Sequence, residues 1–332
     1  MVHIAEHPST VTVDITLACH EYEWTKALWD GRIEPEGINL TTVDYTNPER
    51  FNRMANYREF DACEMSMGSY LATRSDPEAF PFTAIPLFPS RKFRHAYIYK
   101  RVGSGVETLG DLEGRNVGIV NWQTTTGIWQ RGIARERHGL DTTQVNWLAA
   151  KPEIVDLDAP SYDIDHLDRP GRSLHVVEDM IDAGEVDAVF HPVFLDSENA
   201  QRLFERPVET EKQYYRETAI FPIMHTVVLR DSLLEEKPWV PQKLYDAFER
   251  AKQQALDRLE RPRWSPVIWS GTYAEEQQEL IGDDPWEYGL TEWNVNTLET
   301  LIEYANEQEV IPEAYDVEDI FETDHVNTRE YR

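Results

Sequence analysis

Residues 91–95 gather three cations and an imidazole: Arg91, Lys92, Arg94 and His95. A guanidinium fork matches the two oxygens of a carboxylate, and an imidazole beside it gives or takes a proton near neutral pH. Such a group suits a pocket for an anionic substrate with a proton donor at hand. It equally suits a strand whose basic residues pair with surface carboxylates. Pro86 and Pro89 restrict the backbone ahead of the cluster, arguing for a turn or an extended entry, and Ala96-Tyr-Ile-Tyr99 reads as a strand. With 91–97 extended, Arg91, Phe93 and His95 share one face, and Lys92, Arg94 and Ala96 the other.

Further candidates are scattered along the chain. His225 ends Ile220-Phe-Pro-Ile-Met-His225, a second segment with Phe-Pro and a single histidine. His20 follows the first expected strand, and His191 sits in Phe-His-Pro. A lone histidine is more often structural than catalytic, and that weighs on all of them. Glu64 lies between Cys63 and Met65, with Met67 close by. A half-buried carboxylate there has a raised pKa and serves as acid or base, or else it caps the next helix. Ser66 follows it in the same loop. Trp122 either stacks on an aromatic ligand or packs internally. Thr124-Thr-Thr-Gly127 precedes a helical pattern, where unpaired N–H groups make an anion seat that includes Thr125. Gly103-Ser-Gly105 lacks a strand–turn–helix setting, which argues against a nicotinamide site. Neither Gly-x-Ser-x-Gly, nor HExxH, nor a phosphate-binding lysine loop is present.

The elements that must position these residues alternate. Residues 11–17, 37–43, 60–67 and 82–88 read as strands, with helices expected at 24–29, from 47 to about 57, and from 68. A second set follows: strands at 116–120, 145–148 and 185–190, with helices at 128–138 and 173–183. The acidic, Pro-containing stretch 151–172 reads as a loop. Residues 219–229 form a long strand, and 239–259, 272–280 and 295–307 are helical. Alternation of this kind indicates an α/β sheet, with ligands beyond the carboxyl ends of its strands. The loops holding His20, Glu64 with Ser66, and Arg91 are thus expected to converge. The segments 85–99 and 219–229 are expected to be the two connections between domains.

At 332 residues the chain has room for two domains, and 41% apolar content with ten Trp supports real cores. Its net charge is -29, with eight Lys against 24 Arg and 61 acidic residues. That surface repels nucleic acid and anionic membrane, so neither is expected as a partner. Two explanations compete: a cation-rich partner, or life in high salt, where solvated carboxylates keep the protein soluble. The even spread of acid and the scarcity of lysine favour salt. No apolar run approaches 18 residues, so no membrane span is expected. Cys19 and Cys63 imply neither a zinc motif nor a disulfide framework. The start, residues 1–10, has no basic and apolar pattern of a signal, which leads to the expectation of a cytoplasmic protein. Oligomeric state is not legible; a homo-oligomer is compatible with the sequence.

Several segments together resemble the 4,5-dihydroxyphthalate decarboxylase family. They are Leu17-Ala-Cys19 with Glu21-Tyr22, Cys63-Glu-Met-Ser66, Phe88-Pro-Ser-Arg-Lys-Phe-Arg-His95, Gly127-Ile-Trp-Gln-Arg-Gly132, Ile220-Phe-Pro-Ile-Met-His225 and Gly282-Asp-Asp-Pro-Trp-Glu-Tyr-Gly289. The resemblance runs along nearly the whole chain. It implies a two-lobed α/β fold of the type II periplasmic binding protein kind, with residues 1–100 and 225–332 in one lobe and 101–224 in the other. It also implies non-oxidative decarboxylation of a small aromatic dicarboxylate, with 4,5-dihydroxyphthalate giving protocatechuate. On that view His95 or His225 donates the proton, Glu64 or the other histidine polarises the catechol, and Arg91 and Arg94 anchor the retained carboxylate. Ser66, Trp122, Thr125, His20 and His191 complete the expected substrate contacts. No cofactor is required; a divalent metal on His and Glu side chains is not excluded, though no spacing demands one. The chain departs from the family pattern at Glu21-Tyr-Glu-Trp24, where Asp-Tyr-Asp-Arg is expected, and in its acidic 151–172 segment. The competing class is a solute-binding protein or sensor for an aromatic carboxylate, with the same lobes and no chemistry.

Overall fold

A computed structural model describes residues 12–170, 174–259 and 265–328. The readings that touch residues 1–11 and 171–173 therefore lie partly or wholly outside the described residues. These include the N-terminal signal, the beginning of the first strand and the start of the helix at 173.

The first sheet contains β1 (Val13–Ala18), β2 (Ile38–Val43), β3 (Ala62–Ser66), β4 (Phe82–Arg91) and, from much later in the chain, β11 (Ile223–Arg230), in the order β2-β1-β3-β11-β4. β1 is rich in β-branched residues and pairs in parallel with β2 and β3, while β11 runs antiparallel to β3 and β4. The helices α1 (Lys26–Trp29), α2 (Asn47–Tyr57) and α3 (Met67–Thr73) make the crossovers. The apolar face of α2 seats Phe51, Met54 and Ala55 in the core, together with one cation, Arg50.

The second sheet has the order β10-β5-β9-β6-β7-β8. Its strands are β5 (Ile98–Arg101), β6 (Asn116–Ile119), β7 (Asn146–Ala149), β8 (Asp163–His166), β9 (Ala188–Phe190) and β10 (Ala200–Arg202). Helices α4 (Thr125–His138) and α5 (Val176–Asp182) connect within it, and α6 (Pro207–Thr218) leads back toward β11. The C-terminal helices are α7 (Asp231–Glu236), α8 (Val240–Leu259), α9 (Ser270–Ile281) and α10 (Glu292–Glu307).

Two expectations change here. β8 lies inside the acidic stretch read as a loop, where it extends the edge of β7. The chain after β4 does not stay extended: it turns, and His95–Tyr97 forms a 3-10 turn before β5. The side-chain alternation expected across 91–97 is lost at that turn.

Trp122, Trp129 and Trp147 are fully buried around α4. α3 and α4 approach closely at Gly68, where an added Cβ would stand 2.3 Å from the Gln123 carbonyl oxygen. That contact leaves room for no side chain, and it brings the start of α3 against the start of α4.

Candidate active site

A cleft of about 1330 Å3 opens between the two sheets. Its wall is built from loops at the carboxyl ends of parallel strands, where such sheets bind ligands. His20 and Tyr22 follow β1, Asp44 and Tyr45 follow β2, and Ser66 ends β3. Thr124 and Thr125 follow β6, Glu153 follows β7, and Pro192 and Val193 follow β9. The end of β4 adds Ser90 and Arg91, the connection adds Lys92 and Arg94, and the start of β11 adds Met224 and His225.

Glu64 is the electrostatic centre of this wall. It is fully buried on β3. Its Oε2 accepts from the His20 backbone N–H at 2.8 Å and from Arg50 Nη2 at 2.9 Å. Its Oε1 accepts from the Tyr22 hydroxyl at 2.7 Å and lies 2.5 Å from His225 Nδ1. Burial by itself would raise the Glu64 pKa, but the Arg50 guanidinium, followed by His225, outweighs it and holds the carboxyl well below the usual carboxylate range. The raised-pKa acid expected at Glu64 is thus corrected to a carboxylate whose partners favour its ionised form. Burial, then the negative charge of Glu64, pushes the Tyr22 phenol up, so it stays a donor.

β11 places His225 at the cleft, opposite Ser66 on β3 and Ser90 on β4. Its ring stands edge-on to Phe51 at 5.2 Å and keeps 12% of its surface exposed. Removal from water lowers the His225 pKa; Glu64 opposes this, while Arg50 and Arg94 add to it, and the net direction is down. With Nδ1 committed to Glu64, Nε2 is the nitrogen left for a bound molecule.

Arg94 is buried beside this histidine. Its Nη1 donates to the Pro192 carbonyl at 3.1 Å, and its Nε lies 2.9 Å from the Met224 thioether, which Nη2 also reaches. Among the described residues it has no ion-pair partner, and burial lowers its pKa to about 10. The Tyr97 ring stands 5.5 Å from the Arg94 guanidinium carbon, and Glu211 acts on it electrostatically without forming an ion pair, so the desolvation of this cation is only partly offset. Ser66 and Thr125 join the two sheets through a 2.7 Å Oγ–Oγ hydrogen bond, and Thr125 Oγ1 accepts from the Gly68 N–H. His20 lines the cleft with its ring exposed and Nδ1 3.3 Å from Asp44.

Four candidates are placed differently from their expectation. His95 does not line the cleft: the 3-10 turn directs it among Phe204, Tyr214 and His138, and burial, then His138, lowers its pKa to about 4. Arg91 touches the cleft, but its guanidinium donates to the Phe221 and Glu287 carbonyls and to Asn294, under the face of Trp293. It ties the two connections to the C-terminal segment and has little left for a ligand. Trp122 is wholly buried, donates to the Gln308 carbonyl and stacks on Arg131 at 3.7 Å, so packing accounts for it. His191 is buried, with its nitrogens at the Val193 and Leu174 carbonyls.

Arg50, Tyr22, Trp24 and Trp286 belong to the site but are not among the site residues expected from the sequence, although all but Arg50 lie in the segments compared with the family. Tyr22 stacks on Trp24 at 4.9 Å, and Trp24 on Trp286 at 4.0 Å, giving the cleft an aromatic wall. The signal for Arg50 is an arginine on the apolar face of a helix, between Tyr45 and Phe51. Cys19 and Cys63 are free and buried beside Glu64, and burial raises both thiols, so neither suits a nucleophile. Among the described residues no group of three or more His, Cys, Asp or Glu is placed to hold a metal ion. No described helix is long and apolar enough to cross a membrane.

No family model matches the chain. It is 30% identical over 296 residues to the 4,5-dihydroxyphthalate decarboxylase of Comamonas testosteroni, spanning 84% of this chain and 88% of that protein. The 4,5-dihydroxyphthalate decarboxylase of Pseudomonas putida is 30% identical over 186 residues, 54% of this chain and 70% of that protein. Among solved structures it is similar to the alkanesulfonate-binding protein SsuA from Xanthomonas axonopodis pv. citri, bound to MOPS. That likeness has a TM-score of 0.56 and 13% identity over 93% of this chain and 98% of the other. At that identity it establishes the fold: two lobes of the periplasmic-binding-protein kind around a cleft.

Proposed function

The chain belongs to the 4,5-dihydroxyphthalate decarboxylase family, and on that premise we propose that it removes one carboxylate from 4,5-dihydroxyphthalate to give protocatechuate. The observation that carries this reading is the ionised Glu64 paired with His225 at the cleft wall, next to a buried Arg94 that has no ion-pair partner among the described residues.

In this substrate each carboxylate has a ring hydroxyl para to it. Electron push from that oxygen lets the ipso carbon take a proton. The C–CO2 bond then breaks, its electron pair restores the aromatic ring, and carbon dioxide leaves. The protein must supply a proton and hold the retained carboxylate. Arg94 anchors that carboxylate, with the Ser66–Thr125 pair as hydrogen-bonding support. The ring lies along Tyr22, Trp24 and Trp286. His225 delivers the proton from Nε2, and Glu64 stabilises the imidazolium through Nδ1–H. The imidazole is uncharged in the free protein, so the arriving dianion supplies the negative charge that lets it take up a proton. No step here calls on a cofactor.

The two-lobed fold also supports capture of an aromatic carboxylate without chemistry. Incubation with 4,5-dihydroxyphthalate distinguishes the readings: protocatechuate and carbon dioxide are expected, and tight binding with neither product would leave the capture reading standing.

A further inference from the structure

We propose that Arg50 is a positioning residue for this proton transfer: as the ion-pair partner of Glu64 it leaves His225 an uncharged imidazole, with Nδ1–H given to Glu64 and Nε2 free for the cleft. The kinetic part of this inference rests on the decarboxylase reading; the charge on His225 does not.

The geometry is specific. Arg50 is fully buried; its guanidinium makes four hydrogen bonds, and Nη1 also stands 3.8 Å from the half-exposed Asp44 carboxylate, a longer contact than the one to Glu64. Nη2 donates to Glu64 Oε2 at 2.9 Å and to Asn47 Oδ1 at 2.8 Å. Nε donates to the Glu64 backbone carbonyl at 3.2 Å, and Nη1 to the Tyr45 carbonyl at 3.0 Å. The charged and titratable groups that face His225 are Glu64 from β3, Arg50 from α2 and Arg94 from the connection, with the Tyr22 phenol on the same carboxylate oxygen. The thiols of Cys19 and Cys63 lie close to Arg50 and Glu64 and stay protonated.

A buried carboxylate calls for one countercharge. Here the guanidinium supplies it. An imidazolium would be a second cation on that carboxylate, with Arg94 a third close by. Without Arg50, His225 is the nearest group able to neutralise Glu64, and the imidazole would hold its proton to higher pH. Arg50 thus sets the pH at which His225 gives up its proton, and with it the pH range in which the protonated donor is available.

The test is an NMR titration of the His225 imidazole, its signal identified by loss in His225→Asn, in the wild-type protein and in Arg50→Met. The His225 midpoint is expected to rise by about one to three pH units in Arg50→Met, and the pH limb of kcat/KM to move with it. Arg50→Lys restores a cation and is expected to return the midpoint toward wild type. Arg50→Gln keeps polar contacts to Tyr45 and Asn47 and serves where Arg50→Met does not fold; the same rise is expected. An unmoved midpoint in either folded neutral variant overturns the proposal, because a merely structural Arg50 would cost stability without shifting a titration. A raised midpoint in a protein that forms no protocatechuate upholds the role of Arg50 and removes the decarboxylase reading alone.

Discussion

His95 and His225 look alike in the sequence, each a single imidazole shortly after a Phe-Pro pair. Their surroundings divide them. His225 meets a carboxylate and the cleft, whereas His95 meets rings and leaves its Nδ1 buried without a hydrogen bond. His225→Asn is expected to lower kcat by about 10^2- to 10^4-fold, the usual worth of a positioned proton donor. His95→Asn is expected to keep the wild-type kcat and to change only the denaturation midpoint. Carbon dioxide release and urea unfolding on both variants check this, and near-normal turnover in His225→Asn would remove the assignment. The pH profile follows with a definite sign. Burial holds the His225 pKa below its ordinary 6.5 in the free protein, so the protonated donor disappears as pH rises through that lowered value. kcat/KM is expected to fall along a limb lying below about pH 6.5. The matching limb of kcat should lie higher, since bound carboxylates favour the imidazolium. Activity that climbs with pH across that range would contradict proton donation by His225.

The contact between α3 and α4 decides whether the Ser66–Thr125 bridge forms. Gly68→Ala would drive a methyl group into the Gln123 backbone carbonyl, and backbone cannot swing aside as a side-chain tip can. The expected cost is about 1–3 kcal/mol of stability, with a larger rise in KM than fall in kcat, because the binding wall shifts more than the Glu64–His225 pair. Denaturant unfolding and steady-state kinetics read the two effects separately. Element positions were largely legible: β2, α2 and α10 follow from alternation, a Pro in the first turn and apolar periodicity. β8 was not. Its sequence, Asp163-Ile-Asp-His166, offers a single apolar side chain, Ile164, which packs against the core, and it is a strand because the edge of β7 offers a ladder. The 3-10 turn at His95–Tyr97 was equally hidden, since an extended reading and a turn both satisfy the two prolines before it.

Across the whole molecule, a chain of net charge -29 leaves Arg91, Arg94 and Arg131 buried without an ion pair among the described residues. The surface repels anions while Arg94 at the cleft attracts them, so the attraction for an anion is local. The acidic surface repels itself, and molar salt shortens the screening length to about 3 Å. The melting temperature is therefore expected to be higher in molar KCl than in low salt; equal values in thermal melts would count against adaptation to salt. The order of most strands and helices, the loops able to converge on a cleft and the kinship with a decarboxylase family were set by the sequence, because periodicity, turn residues and motifs are local properties; β8, β10 and α6 were not read from it. Which imidazole faces the cleft, why Glu64 stays ionised and why Arg91 is a strut were decided only by tertiary structure. Glu64 meets Arg50, Tyr22, His20 and His225 at separations of 14, 42, 44 and 161 residues. The charge state of a buried group depends on just such distant partners, which local sequence patterns cannot pair.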